Sequence, residues 1–219
     1  MSGQGPQSPR GLFITFEGGD GSGKSTQASA LADRLRAAGR EVLLTREPGG
    51  TEVGLEIREL VLHHTGDIAS RAEALLYAAD RAHHIATVVR PALDAGTIVV
   101  QDRYLDSSVA YQGVGRALGA AEIRELSLWA SENLLPDLTV LLDIDETEAR
   151  QRIDAAHKRF DRLEAQGSEF HATVRTAFLA LAEVERDRFL VVDAAASADQ
   201  LAVEIGDRVD ELIRARQAR

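Results

Sequence analysis

Cysteine is absent from the 219-residue chain, and methionine and tryptophan occur once each. Without cysteine there are no disulfides, no thiol nucleophile and no thiolate metal sites; catalysis falls to oxygen, nitrogen or a bound cation, and a reducing compartment fits. No apolar run approaches the roughly 18 residues of a membrane span, and the first ten residues carry no signal-peptide core. A cytoplasmic protein without a membrane partner is the expectation. Positive charge is also scarce: 25 Lys and Arg against 35 Asp and Glu leave a net charge of −10, which opposes general binding to nucleic acid. Any phosphate site must therefore concentrate cations locally. Lysine is the scarcest of the basic residues, represented by Lys24 and Lys158, so a lysine inside a glycine-rich loop is not incidental. The sole asparagine, Asn133, precedes Leu134, which removes the Asn-Lys-x-Asp segment expected of a guanine-specific switch.

What is present suits one α/β domain over residues 11–219 behind a disordered tail, residues 1–10. The composition, 44% hydrophobic and 27% charged, supplies a sizeable core. Leu12–Phe16, Val42–Leu44, Thr97–Val100, Leu138–Leu142 and Phe189–Val192 read as short, nearly continuous apolar strands. Between them, helical spacing runs through 25–38, 52–64, 70–95, 120–135, 146–164, 168–186 and 197–216, punctuated by Gly39, Gly66, Gly96, Gly119 and Gly167. Strands apolar on both faces, alternating with helices, predict a doubly wound parallel sheet.

The first strand runs into Gly18-Gly19-Asp20-Gly21-Ser22-Gly23-Lys24-Ser25-Thr26, and a helix follows at once. Glycines let successive backbone N–H groups curl around phosphate oxygens at the positive end of that helix. Lys24 would bridge the β- and γ-phosphates, and the Ser25 hydroxyl would ligate Mg²⁺. A glycine-rich turn can arise by chance, but here the required strand and helix flank it. ATP is the expected ligand. Arg46 and Arg103 follow the second and third strands, at the carboxyl edge where open α/β sheets bind ligands, and Arg81 lies on a helix. Together they predict a second, phosphorylated substrate, which a mechanical ATPase would not need. Arg34, Arg36, Arg124 and Arg214 read as solvated charges.

Longer segments are more specific: Phe16-Glu17-Gly18, Thr45-Arg46-Glu47-Pro48-Gly49-Gly50-Thr51, Asp102-Arg103-Tyr104 with Ser107-Ser108 and Ala110-Tyr111-Gln112-Gly113, Leu135-Pro136-Asp137-Leu138-Thr139, and Asp161-Arg162-Leu163-Glu164. In order and over about residues 11–193, the chain resembles the bacterial thymidylate kinase family. The resemblance implies a P-loop nucleoside monophosphate kinase fold, a five-stranded parallel sheet with a mobile lid near 150–166, and MgATP-dependent phosphorylation of dTMP to dTDP in a homodimer. It further implies that Arg103 holds the dTMP phosphate with help from Arg46. Tyr77 would stack on thymine beside Arg81, Ser108 and Gln112 would line the base pocket, and Tyr111 would close on the C2′ edge. Asp20 would face the 3′-hydroxyl; Ser107, Glu47 and Pro48 belong to the same substrate region. Asp102 either orients Arg103 or holds Mg²⁺ through water, and both readings stay open. Because Gly21 offers no cation from the loop, the resemblance is to the lid-arginine type, with Arg159 and Arg162 as candidates. A kinase for another nucleotide, and a nucleotide-dependent regulator that transfers nothing, are the rival readings.

His63-His64 and His83-His84 invite a metal reading, but neighbours on a helix point about 100° apart, so surface or interface histidines are expected. Trp129, among Leu126, Leu128 and Leu134, is expected in the core.

Overall fold

The computed structural model describes residues 10–155 and 162–218. Its strands are β1 (Phe13–Gly18), β2 (Val42–Arg46), β3 (Ile98–Asp102), β4 (Leu138–Asp143) and β5 (Phe189–Asp193). They form one parallel sheet in the order β2-β3-β1-β4-β5. The helices are α1 (Lys24–Ala37), α2 (Glu52–His63), α3 (Ser70–His84), α4 (Arg90–Asp94), α5 (Leu105–Ser108), α6 (Ala120–Ala130), α7 (Glu146–Ala155), α8 (Ser168–Val184) and α9 (Ala198–Gln217).

Strand periodicity divides the core. Ile14 and Phe16 of β1 point to one face, where Leu31 and Leu35 of α1 and Leu201, Ile205 and Val209 of α9 cover them. Phe13 points to the other face, against Ile85, Leu93, Tyr104 and Leu105. Between them the buried Thr15 hydroxyl pairs with that of Thr139 on β4 at 2.9 Å, so this polar pair in the sheet costs little. Removing a ring such as Phe16 would cost about 3–5 kcal/mol in lost transfer energy and cavity.

The five expected strands are all found, within one or two residues at their ends. The helical stretch 70–95 is continuous but not uniform: α3 passes through a π-helical turn, Ile85–Val89, into α4. Pro91 lacks the amide hydrogen that would reach Thr87, and the widened turn accommodates that loss. One helical region escapes the periodicity altogether, α5 with a second π-helical turn, Val109–Gly115. Trp129 corrects an expectation: it is 78% exposed, because α6 turns Ile123, Ser127 and Ala130 inward and leaves position 129 on the outer face. His84 corrects another. It is fully buried, whereas His63 and His64 are exposed as expected.

Candidate active site

The parallel order places the carboxyl ends of β1, β2 and β3 side by side, with Phe16 and Arg46 both in register with Asp102. Around this edge lies a cleft of about 480 Å³, a size suited to nucleotide ligands. The phosphate loop leaves β1 at Gly18, whose φ of 133° and approach to the Leu142 carbonyl (2.4 Å from a built Cβ) exclude any side chain. Gly21 is similarly closed: a Cβ would meet the Ala149 carbonyl of α7 at 2.7 Å, so no cationic side chain fits at this point of the loop.

Lys24 begins α1 and is buried, with Nζ donating to the Gly19 carbonyl at 2.6 Å. Burial, and then the neighbouring Arg103, push its pKa down to about 8. The Ser25 hydroxyl donates to Asp102 Oδ2 at 2.5 Å, while Asp102 Oδ1 is buried with no hydrogen-bond partner among the described residues. A hydroxyl beside a carboxylate with an unused oxygen is a hard, all-oxygen donor set, which suits Mg²⁺. Asp102 is thus joined to Ser25, and no direct hydrogen bond links it to Arg103.

Arg103 leaves β3 in the left-handed conformation, φ 65°, unusual for a residue with a side chain. Its guanidinium pairs with Asp20 and donates from Nη1 to the Gly18 carbonyl at 3.1 Å and the Ser107 hydroxyl at 3.0 Å. Tyr111 donates to Asp20 Oδ2 at 3.0 Å. Although burial opposes it, the positive charges of Arg103 and Lys24 hold the Asp20 carboxyl down at about 2, so it stays ionised. Cation and carboxylate are therefore preformed at the junction of the phosphate loop and β3.

Arg81, 2% exposed, is held on three sides: an ion pair of Nε with Glu47 Oε2 at 3.0 Å, Nη1 to Ser127 Oγ and Nη2 to Ser108 Oγ, both at 3.1 Å. Glu47 in turn contacts His84 Nδ1 at 3.0 Å, and His84 Nε2 contacts the Thr45 hydroxyl at 2.8 Å. Burial and the nearby Glu47 push Asp80, which accepts from Gly49 N at 3.1 Å, up to about 6.

Most residues chosen from the sequence converge on this cleft. Asp20, Gly21, Gly23, Lys24, Ser25 and Thr26 line one side; Arg46, Glu47, Pro48, Tyr77, Arg81, Asp102, Arg103, Ser107, Ser108, Tyr111 and Gln112 line the remainder. Gln112 is also tied back, donating to Glu73 at 3.0 Å. Gly19 borders a second cavity of about 280 Å³ between the loop and α7. Arg162 is not part of the cleft wall: its guanidinium pairs with buried Glu73, and its Nε donates to the Val61 carbonyl at 3.1 Å. Arg159, like Lys158 and Asp161, lies outside the described residues.

Sequence reasoning missed Arg152, which lines the cleft from α7 while bonding Glu148 at 2.6 Å and the Ala194 carbonyl at 2.8 Å. In the sequence it is one of several arginines within the lid segment 150–166. Glu17 flanks the loop in the sequence, yet it is a fully buried acid inside an apolar strand, and that mismatch is the available signal.

The profile of the family described as Thymidylate kinase matches residues 16–205. The chain is 67% identical to the thymidylate kinase of Leifsonia xyli subsp. xyli over 205 residues, covering 94% of this chain and 97% of that protein. It is 65% identical to the thymidylate kinase of Clavibacter michiganensis subsp. michiganensis, with the same coverage. Among solved structures, the thymidylate kinase of Ehrlichia chaffeensis superposes with a TM-score of 0.75 at 31% identity, covering 92% of this chain and 99% of that one. With its phosphate loop, its Asp102-Arg103-Tyr104 turn and a match over most of its length, the chain belongs to the thymidylate kinase family.

Proposed function

We propose that the protein transfers the γ-phosphoryl group of ATP to dTMP, giving ADP and dTDP for dTTP biosynthesis, as one kinase domain over 11–219 with a lid at about 150–166. The observation that carries this reading is a single cleft holding a phosphate loop with Lys24 on one side and Arg103, Arg81, Tyr77 and Tyr111 on the other. A loose, anionic phosphoryl-transfer transition state asks for positioning and positive charge, and a phosphate dianion is already a nucleophile.

In this reading the amides of Gly18–Thr26 cradle ATP and Lys24 neutralises its phosphates. Arg103 receives the dTMP phosphate, with Arg46 beside it on the cleft wall. Asp20 keeps Arg103 in place and accepts the 3′-hydroxyl, while Tyr111 closes on C2′. Arg81, braced by Glu47, Ser108 and Ser127, bonds the base beside the Tyr77 ring; Gln112 and Pro48 complete that pocket. Ser25 and Asp102 are the residues that would hold Mg²⁺, Asp102 directly or through water. When bound, the ion would supply charge neutralisation between the donor phosphates. The last cation comes from a lid arginine: Arg159, Arg162 once released from Glu73, or Arg152, which already faces the cleft.

Two further parts of the reading concern assembly and place. A homodimer is supported by neighbouring helices that expose apolar side chains, Val53 and Leu60 on α2, Leu75 on α3 and Trp129 on α6. Cytoplasmic residence is supported by the absence of cysteine; among the described residues no helix is long and apolar enough to cross a membrane.

A coupled ADP-release assay with dTMP, dUMP, dCMP, AMP and thymidine tests the reading. A preference for dTMP in kcat/KM supports it. Preference for another acceptor, or ATP binding with no transfer to any of them, overturns it.

A further inference from the structure

Glu17 is the last residue of β1 before Gly18, and no part of the proposed chemistry uses it. It is fully buried, and each hydrogen bond its carboxylate accepts from the described residues comes from Tyr104 or Ser107, just after Arg103. Oε1 accepts from Tyr104 N at 2.8 Å and Ser107 N at 3.2 Å, and Oε2 accepts from the Ser107 hydroxyl at 2.5 Å. The residues on either side of Glu17 hold Arg103 itself: the Phe16 carbonyl accepts from Arg103 N at 2.9 Å, and the Gly18 carbonyl from Nη1 at 3.1 Å. A left-handed conformation at a residue with a Cβ is strained and survives only where its surroundings fix it. Here three consecutive residues of β1 do so.

The hydroxyl of Ser107 makes the link specific. It has one proton. Giving that proton to Glu17 leaves its lone pairs free to accept from Arg103 Nη1 at 3.0 Å. A carboxylate accepts at both oxygens, so all three donors and the arginine are satisfied together. A glutamine is not equivalent. With its amide nitrogen toward Ser107, the hydroxyl must accept there, and its own proton loses the acceptor that orients its lone pairs toward Arg103. With the nitrogen reversed, it meets the two backbone N–H groups instead.

We propose that Glu17 is the positioning residue for Arg103, setting the left-handed turn and the Ser107 proton so that the guanidinium faces the acceptor phosphate. The proposal rests on the reading of Arg103 as the dTMP phosphate ligand. The charged neighbours of Glu17 are Asp106 on α5, Arg103 on the turn and Lys24 on α1. Asp106 is compensated by two bonds from Arg188 at the edge of β5, 2.8 and 2.9 Å. Burial first, and Asp106 second, push the Glu17 carboxyl up to about 8, against the pull of the Ser107 hydroxyl, the Arg103 charge and the Tyr104 amide. The carboxylate form therefore predominates at pH 9, where dTMP is also a dianion.

The test is calorimetric binding of dTMP, and separately of ATP, at pH 9 to the full chain and to E17Q, S107A, E17Q/S107A and R103A. The expected result is a dTMP Kd raised about tenfold or more in E17Q, equivalent to a lost charged hydrogen bond, with the ATP Kd changed less than about threefold. S107A should weaken dTMP in the same sense, and the E17Q effect should shrink in the S107A background, because Gln misfits through that hydroxyl. If E17Q does not fold, S107A against E17D, which keeps an all-acceptor carboxylate, carries the same comparison: S107A should then lose more dTMP affinity than E17D. Additive effects, or an E17Q that binds dTMP within twofold of wild type, overturn the proposal. If R103A itself leaves the dTMP Kd unchanged, the reading of Arg103 fails instead, and the two failures are told apart.

Discussion

If ATP is titrated into the protein at pH 8, calorimetry in buffers of different ionisation enthalpy should register proton uptake at Lys24. In the nucleotide-free protein this lysine is buried beside Arg103, and its pKa falls from 10.5 to about 8. A depression of that size corresponds to roughly 3 kcal/mol against the charged form. Bound phosphates favour the ammonium and return its pKa toward the ordinary range, so the site gains a proton wherever free Lys24 is neutral. The sign follows directly: uptake is close to zero at pH 6.5, ~0.1 proton at pH 7, ~0.5 at pH 8 and up to ~0.9 at pH 9. K24R separates this lysine from other groups titrating nearby, Glu17 among them, because arginine stays charged throughout and has nothing to take up. Uptake in K24R equal to wild type would place the proton elsewhere. No buffer dependence in wild type at pH 8–9 would show that Lys24 is already charged, and that burial beside Arg103 does not govern it.

Four other outcomes follow from the same geometry. Tyr111→Phe removes the hydroxyl that bonds Asp20, worth about 1 kcal/mol, so the kcat/KM ratio of dTMP to ribothymidine monophosphate should fall severalfold; an unchanged ratio in both Y111F and Y111A removes Tyr111 from the sugar pocket. Arg162→Ala strips one partner from buried Glu73, which keeps Arg116 and Gln112, so Tm should drop; a kcat within about threefold of wild type removes Arg162 from the lid candidates. Arg152→Ala should lower kcat by about 10³ or more if that arginine closes on the reacting phosphates, and kinetics of both variants, with Arg159→Ala, decide which lid cation acts. Leu75→Glu, on an exposed apolar position of α3, should convert a dimer to monomers in light scattering; an unchanged mass removes this helix from the interface.

The legibility of the site in the sequence tracks how local each feature is. The loop Gly18–Thr26 is legible because its chemistry is written in consecutive residues, and β1 before it and α1 after it follow from simple periodicity. The stretch Leu105–Gly115 is not. Its Ser107-Ser108 pair and its glycines at 113 and 115 break the apolar spacing of a helix, and what fixes its start is Glu17, some ninety residues earlier in the chain. Trp129 and His84 fail for the same physical reason. Trp129 among leucines reads as core and paired histidines on a helix as surface, whereas helical phase turns Trp129 to solvent, and Glu47 with Thr45 gives the buried His84 its partners.

The same long-range pairing answers how a chain of net charge −10 can present a site for anions. Its buried cations are already held. Arg103 rests on Asp20, Arg81 on Glu47, and Lys24 on the Gly19 carbonyl. Each acid or carbonyl keeps a buried cation in place at low cost, and each contact is one an incoming phosphate or base can share or displace. Long-range repulsion then governs only approach, while affinity is set within a few ångströms by groups already in position. On this account, Asp20→Asn should weaken dTMP binding even though it removes a negative charge from beside the phosphate, because Arg103 loses the partner that holds it there. Tighter binding in D20N, measured at low and high salt, would show instead that bulk repulsion dominates and that the preformed pair is only a competitor.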